Sequence, residues 1–266
     1  MKISFIGGGN MGEAMLSAIL DKKLSTPSLI SVSDTSEIRR QHLEQEYGVA
    51  VMSDNRLAAS QGDIIVLAVK PQNIVDIMAE VKNQLDPAQL VLSIIAGIRV
   101  SSLCGGLSHN CVVRVMPNTP AQIGKGMSVW TATAEVTDRQ KEWAGSILGA
   151  MGKEIFVDDE KYIDMATAIS GSGPAYVFYF MESLVNAGVH IGFSPDMARE
   201  LVLQTVLGAG EFVQKSGKEL AELRQMVTSP GGTTEEALLQ LEKGGFTDLV
   251  KQGVIAAHNK ANKLGG

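Results

Sequence analysis

Gly7-Gly8-Gly9-Asn10-Met11-Gly12 decides the fold of the first half of this chain. It follows a short apolar run over residues 2–6 and opens a helical pattern over residues 10–23. Gly7, Gly9 and Gly12 match G-x-G-x-x-G in the strand–turn–helix setting that gives that motif a meaning. The first glycine makes the tight turn, the second lets a pyrophosphate approach the backbone, and the third packs helix against strand. The free N–H groups at the helix start, backed by the positive end of its dipole, face the phosphates. An acidic residue at the end of the second strand completes the pattern. Asp34 stands there, where a carboxylate accepts bonds from the ribose hydroxyls of NAD and repels the 2′-phosphate of NADP. Arg39 and Arg40 follow in the next helix, as phosphate partners or as solvated charges. Asp34 by itself leans toward NADH.

Outward from this loop, short apolar runs recur at residues 29–33, 63–69, 90–95 and 111–115, with a charged helix capped by Ser36 among them. The run over 63–69 is apolar at almost every position, as strands buried on both faces are. Strand and helix alternating at this spacing predict a parallel sheet with right-handed crossovers. Further strands are expected at 127–131 and 154–157, flanking a helix over 138–151. From Tyr162 onward the pattern is helical only, over 175–190, 195–215, 220–227, 235–242 and 247–263. The expectation is therefore an α/β Rossmann-type N-terminal domain over residues 1–160, followed by an all-α domain over 161–266. Gly208, Ala209 and Gly210 lie inside one long helix. Interior glycine costs up to about 1 kcal/mol against alanine, and close helix approach in a bundle or subunit interface is one compensation.

Composition narrows the partners. The net charge is −6, and Lys or Arg never runs beyond a pair, which argues against nucleic acid or an anionic membrane as the ligand. Cys104 and Cys111 form no Cys-x-x-Cys pair and read as structural thiols in a reducing compartment. His42, His109, His190 and His258 have no ligand-type spacing, so no metal is expected. The opening apolar run is too short for a signal peptide, and no stretch approaches the roughly 18 apolar residues of a membrane span. A soluble, cytoplasmic protein is the expectation.

Two loops in the helical half are richer in glycine and hydroxyls than helix packing needs. Ser170-Gly171-Ser172-Gly173-Pro174-Ala175-Tyr176 precedes one long helix, and Thr228-Ser229-Pro230-Gly231-Gly232-Thr233-Thr234 precedes another. Such loops suit ordinary capping, and equally a nest of N–H and O–H donors for a small carboxylate or phosphate. In the first half, Arg114-Val115-Met116-Pro117-Asn118-Thr119-Pro120, Val69-Lys70-Pro71 and Ile95-Ala96-Gly97 end strands at the carboxyl edge of the sheet, where open parallel sheets bind ligands.

Taken together, these motifs resemble the pyrroline-5-carboxylate reductase family over essentially the whole chain. The resemblance implies a dinucleotide domain followed by a helical domain that interlocks with its twin in a homodimer, often assembled further into a decamer of five dimers. It implies that Gly7 to Gly12, Asn55 and Ala68-Val69-Lys70-Pro71 line the nucleotide, with Ala96 and Gly97 beside the nicotinamide and Asn118 in the same set. Gly231, Gly232, Thr233 and Thr234, with Ser172, would hold a cyclic imino acid, Thr234 being the catalytic candidate at the ring nitrogen. The family usually prefers NADPH, and an acid at Asp34 departs from many of its members, so NADPH and NADH both stay open. Two rivals have specific requirements. A β-hydroxyacid dehydrogenase needs a lysine on the long helix after the serine–glycine loop, yet none occurs before Lys215. A non-catalytic redox sensor needs a partner surface such as a basic groove, and the sequence shows none.

Overall fold

The computed structural model describes residues 1–265. The chain forms two compact units, Met1–Ser172 with the segment from Ala256 onward, and Gly173–Ile255.

The first unit is built on one eight-stranded sheet. Its elements in order are β1 (Ile3–Ile6), α1 (Asn10–Asp21), β2 (Ile30–Ser33), α2 (Glu37–Tyr47), β3 (Ala50–Met52), α3 (Asn55–Ala59), β4 (Ile64–Leu67), α4 (Ile74–Val81), β5 (Leu90–Ser93), α5 (Val100–Leu107), β6 (Val112–Met116), β7 (Gly126–Ala132), α6 (Asp138–Ala150), β8 (Gly152–Phe156) and α7 (Lys161–Ala166). The strand order is β3-β2-β1-β4-β5-β6-β7-β8. Every residue of β1, β2, β4 and β5 is buried, which is why these strands read as apolar runs rather than alternations. Side chains alternate between two cores. Phe5, Val66 and Leu92 belong to one, and Ile6, Ile65, Leu67 and Val91 to the other. Serines in the central strands bond across the sheet, Ser4 Oγ to Ser31 Oγ at 2.8 Å, so neither hydroxyl is stranded.

Strands β1 to β6 are parallel, and β7 runs antiparallel to β6. The reason is the connection. A short 3₁₀ turn over Thr119–Ile123 separates them, and a parallel return needs a crossover of a dozen or more residues. Strand β8 then pairs parallel with β7 through α6, which opens on a reciprocal capping box of Thr137 and Gln140. The sheet order reverses between β1 and β4, opening a crevice at their carboxyl ends.

The contact boundary falls after Ser172, beyond the boundary expected at residue 160. Helix α7 belongs with the sheet because its Ile163, Asp164 and the following Ala168 are buried there.

In the second unit α8 (Gly173–His190) packs on α9 (Pro195–Ser216), followed by α10 (Leu220–Met226), α11 (Thr233–Lys243) and the start of α12 (Phe246–Gly265). A Cβ on Gly188 would lie 3.1 Å from Ala198 Cβ, so glycine there permits the close crossing of α8 and α9. Ser194 caps α9 ahead of Pro195, the favoured first-turn proline. This unit buries little. Helices α8 and α11 have no buried residue, while Phe178, Tyr179, Leu207 and Phe212 are exposed. Gly208 and Gly210 face open space within the chain.

Candidate active site

The glycine loop obeys the steric logic of its motif. Gly7 has φ +99°, and a Cβ there would lie 2.7 Å from the Ala68 carbonyl oxygen. A Cβ on Gly12 would lie 2.7 Å from the Gly7 carbonyl, so the α1–β1 contact requires glycine. Gly9 alone of the three has nothing within 4 Å of such an atom, leaving its backbone open to a ligand. Gly9 is the N-cap of α1, and no side chain caps that end, so its first N–H groups are available to an anion.

Behind the loop lies a charged latch. The Gly8 N–H donates to Asp34 Oδ2 at 2.8 Å, and the Ser36 N–H donates to Asp34 Oδ1 at 2.8 Å. Asp34 thus fixes the loop while its remaining lone pairs stay available at the cleft. Arg39 donates from Nε and Nη2 to the Gly8 carbonyl at 2.9 and 2.5 Å, and from Nη2 to Glu13 at 2.6 Å. Glu13 also accepts from Tyr47 and pairs with His42 Nε2 at 2.7 Å. Burial alone would raise the Glu13 carboxyl, but the bonds from Arg39, His42 and Tyr47, with the Arg39 charge, hold it below its ordinary range. Arg39 is committed to this latch. Arg40 instead donates to the Asp34 and Thr35 carbonyls at 2.6 and 3.1 Å.

A cleft of about 480 Å³ opens at the sheet's switch point. Of the residues singled out from sequence, Gly7, Gly9, Asp34, Asn55, Ala68, Val69 and Lys70 line it. Asn55 is held by Ser33 Oγ, which donates to its Oδ1 at 2.7 Å, and donates in turn to Glu80 at 2.6 Å. Gly8 and Pro71 adjoin the same strand ends, and Asn10, Met11 and Gly12 form the first turn of α1, without lining the cleft. Ala96, Gly97 and Asn118 lie outside it. Gly97 has φ +76°, a turn that favours glycine. The Asn118 amide is engaged at both ends, donating to the Ser170 carbonyl at 3.0 Å and accepting the Met127 N–H at 2.8 Å. It therefore braces two loops. Sequence reading missed Asn73, Asp76, Ile77 and Glu80, which also line the cleft. Their spacing of i, i+3, i+4 and i+7 is one helix face, and that periodicity was the available signal.

The serine–glycine loop is wound as a π-helical turn over Thr167–Gly171, with the Ser172 N–H on the Thr167 carbonyl at 2.8 Å. In the second unit, Gly231 has φ +69° and Gly232 is the N-cap of α11. The Gly231 N–H donates to Glu235 at 2.7 Å, so the turn is held from within its own helix. Among the described residues nothing hydrogen-bonds the Thr233 or Thr234 side chain, so these hydroxyls and the first-turn N–H groups of α11 form a donor set ready for a small anion.

Known proteins place the chain in a family. Residues 160–264 match the family described as pyrroline-5-carboxylate reductase dimerisation. Residues 2–97 match that described as NADP oxidoreductase coenzyme F420-dependent. A pyrroline-5-carboxylate reductase of Pseudomonas aeruginosa is 40% identical over 99% of this chain and 96% of its own. The chain belongs to the pyrroline-5-carboxylate reductase family. A solved reductase of this family from Coxiella burnetii superposes with a TM-score of 0.92 at 37% identity, covering 100% of this chain and 98% of that one. The Plasmodium falciparum enzyme, solved with NADP bound, does so at 0.91 and 35%, covering 100% and 98%. As a pyrroline-5-carboxylate reductase the chain is an NAD(P)H-dependent oxidoreductase of proline biosynthesis, acting on a C=N bond. Among the described residues no helix is long and apolar enough to cross a membrane.

Proposed function

We propose that the dinucleotide lies across the Gly7–Gly12 loop with its nicotinamide beside Ala96 and Gly97, and that the Gly231–Thr234 turn, with Ser172, holds L-Δ1-pyrroline-5-carboxylate. The observation that carries this reading is the pair of open donor sets, one at the start of α1 and one at the start of α11. Hydride passes from nicotinamide C4 to the imine carbon, and the ring nitrogen ends as the secondary amine of L-proline. A protonated imine is the better hydride acceptor, and it can arrive from solution already charged. The protein then has chiefly to align the ring at ~3–3.5 Å and anchor its carboxylate, for which amides and hydroxyls suffice. Thr234 hydrogen-bonds the ring nitrogen and positions it or relays its proton. Thr234→Ala is expected to cut kcat far more than cofactor affinity, with Thr234→Ser recovering most of it. Unchanged turnover at saturating imine would remove Thr234 from the reaction.

The dinucleotide preference follows from the latch. Asp34 keeps lone pairs for the ribose hydroxyls, while Arg40 lies beside the ribose end for a 2′-phosphate, so both NADH and NADPH are used. A homodimer is the functional unit, supported by the unburied apolar faces of α8 and α9 and their open glycines. Assembly of five dimers into a decamer and a cytoplasmic location complete the proposal. Two unpaired cysteines, Cys104 and Cys111, are consistent with that compartment.

A further inference from the structure

Arg114 is the largest of the fully buried side chains, 1% exposed in the middle of a sheet. Its guanidinium divides between two carboxylates. Nη1 donates to Glu160 Oε1 at 2.6 Å and Nη2 to Asp164 Oδ1 at 2.7 Å, leaving Nε without a partner. A charge this deep is retained at a desolvation cost, which its two carboxylate partners offset. Each contact leads to a different loop. Glu160 Oε1 also accepts the Val100 N–H at 2.8 Å, pinning the first residue of α5, where the segment beginning at Ala96-Gly97 ends. Asp164 sits on α7, which runs directly into the Thr167–Gly171 turn and Ser172. Arg114 itself is on β6, two residues before Met116, whose methyl fills the space above Gly171, and four before Asn118, which holds the Ser170 carbonyl.

We propose that Arg114 is a positioning residue that sets the cofactor-side loop through Glu160 and the substrate-side turn through Asp164, as two separable arms. The inference rests on the placement of Ala96-Gly97 and Ser172 given under the proposed function. Two directional, charge-assisted bonds from one planar fork fix both loops against the same strand, and a lysine or a pair of apolar residues cannot do this.

Steady-state kinetics of the full chain, with each substrate varied in turn, test it alongside thermal midpoints. Glu160→Ala frees the Val100 N–H and should raise the KM for the reduced dinucleotide about fivefold or more, leaving that for the imine within about twofold. Asp164→Ala should do the reverse. Glu160→Gln, whose amide oxygen still accepts from both Arg114 and Val100, should restore the cofactor KM. If an alanine variant does not fold, Glu160→Asp and Asp164→Glu, which shift each carboxylate by one methylene, should show the same split more weakly. Constants that stay fixed while the midpoint falls, or that rise together in both variants, overturn the proposal. Gly97→Ala and Ser172→Ala are measured in parallel. If Gly97→Ala leaves the cofactor KM unchanged, or Ser172→Ala the imine KM, the placement of that loop fails and the proposal with it. If both loop variants respond and the Glu160 and Asp164 variants do not, the proposal alone fails.

Discussion

The Asp34 carboxylate accepts two backbone N–H bonds, from Gly8 and Ser36, and lines the cleft. One side chain thus both braces the loop and bears on which dinucleotide fits it. Asp34→Asn keeps an acceptor oxygen and removes the charge. The ratio of kcat/KM for NADPH over NADH should then rise by roughly tenfold, a difference of about 1.4 kcal/mol. An unchanged ratio would mean that the charge does not reach the ribose. Arg40→Ala should move the ratio the other way, because Arg39 is tied to Gly8 and Glu13 and does not replace it. Gly12 was legible from sequence and its reason is geometric. Gly12→Val would push a methyl-bearing carbon into the Gly7 carbonyl, destabilising the fold by about 1–3 kcal/mol and abolishing cofactor binding, as urea unfolding and dinucleotide titration would show. Arg114, Glu160 and Asp164 were not legible as a set. They are single charges far apart in the chain, and only folding brings them together.

Helices α1 and α2 are joined outside the sheet by Glu13, which gathers Arg39, His42 and Tyr47. Its carboxyl titrates lower in the folded chain than in the unfolded one. The stabilisation is therefore fully present above the ordinary carboxylate range, near 4.5, and is lost as pH falls through the lower folded value. Glu13→Gln should lower stability at neutral pH and flatten the acid side of the stability profile in urea unfolding at successive pH values. An acid limb as steep as in the parent would assign the loss to other carboxylates. At this scale the strongly marked elements were readable, β1 and β4 as apolar runs set by glycine or charge, and α9 as a long helical pattern opened by Ser194-Pro195. The short ones were not. Strand β3 has 3 residues and α3 has 5, too few to show a period. The reversal of β7 depended on the length of a turn, not on the strand's own sequence. The acceptor of the Gly231 N–H, Glu235, stands beside Glu236 in the first turn of α11, and nothing in the sequence distinguishes which of the two reaches back to the turn.

In the whole molecule, a well-buried sheet unit contrasts with a helical unit whose apolar faces are open. Four helices with so little buried among them lack the apolar burial that keeps a domain folded alone. Leu207→Glu should accordingly break the dimer, seen by light scattering as a fall to monomer mass, and activity should fall with it. A dimer of undiminished mass would place the interface elsewhere. The resemblance that identifies the family ran through loops in both units, so the reaction was legible early, while the dinucleotide preference was not, because it turns on where Asp34, Arg39 and Arg40 point. The reaction is tested by following the oxidation of reduced dinucleotide spectrophotometrically with racemic Δ1-pyrroline-5-carboxylate, using NADPH and NADH in parallel. Imine-dependent oxidation of both cofactors is expected, with proline as the product. No oxidation of either cofactor on adding the imine would contradict it.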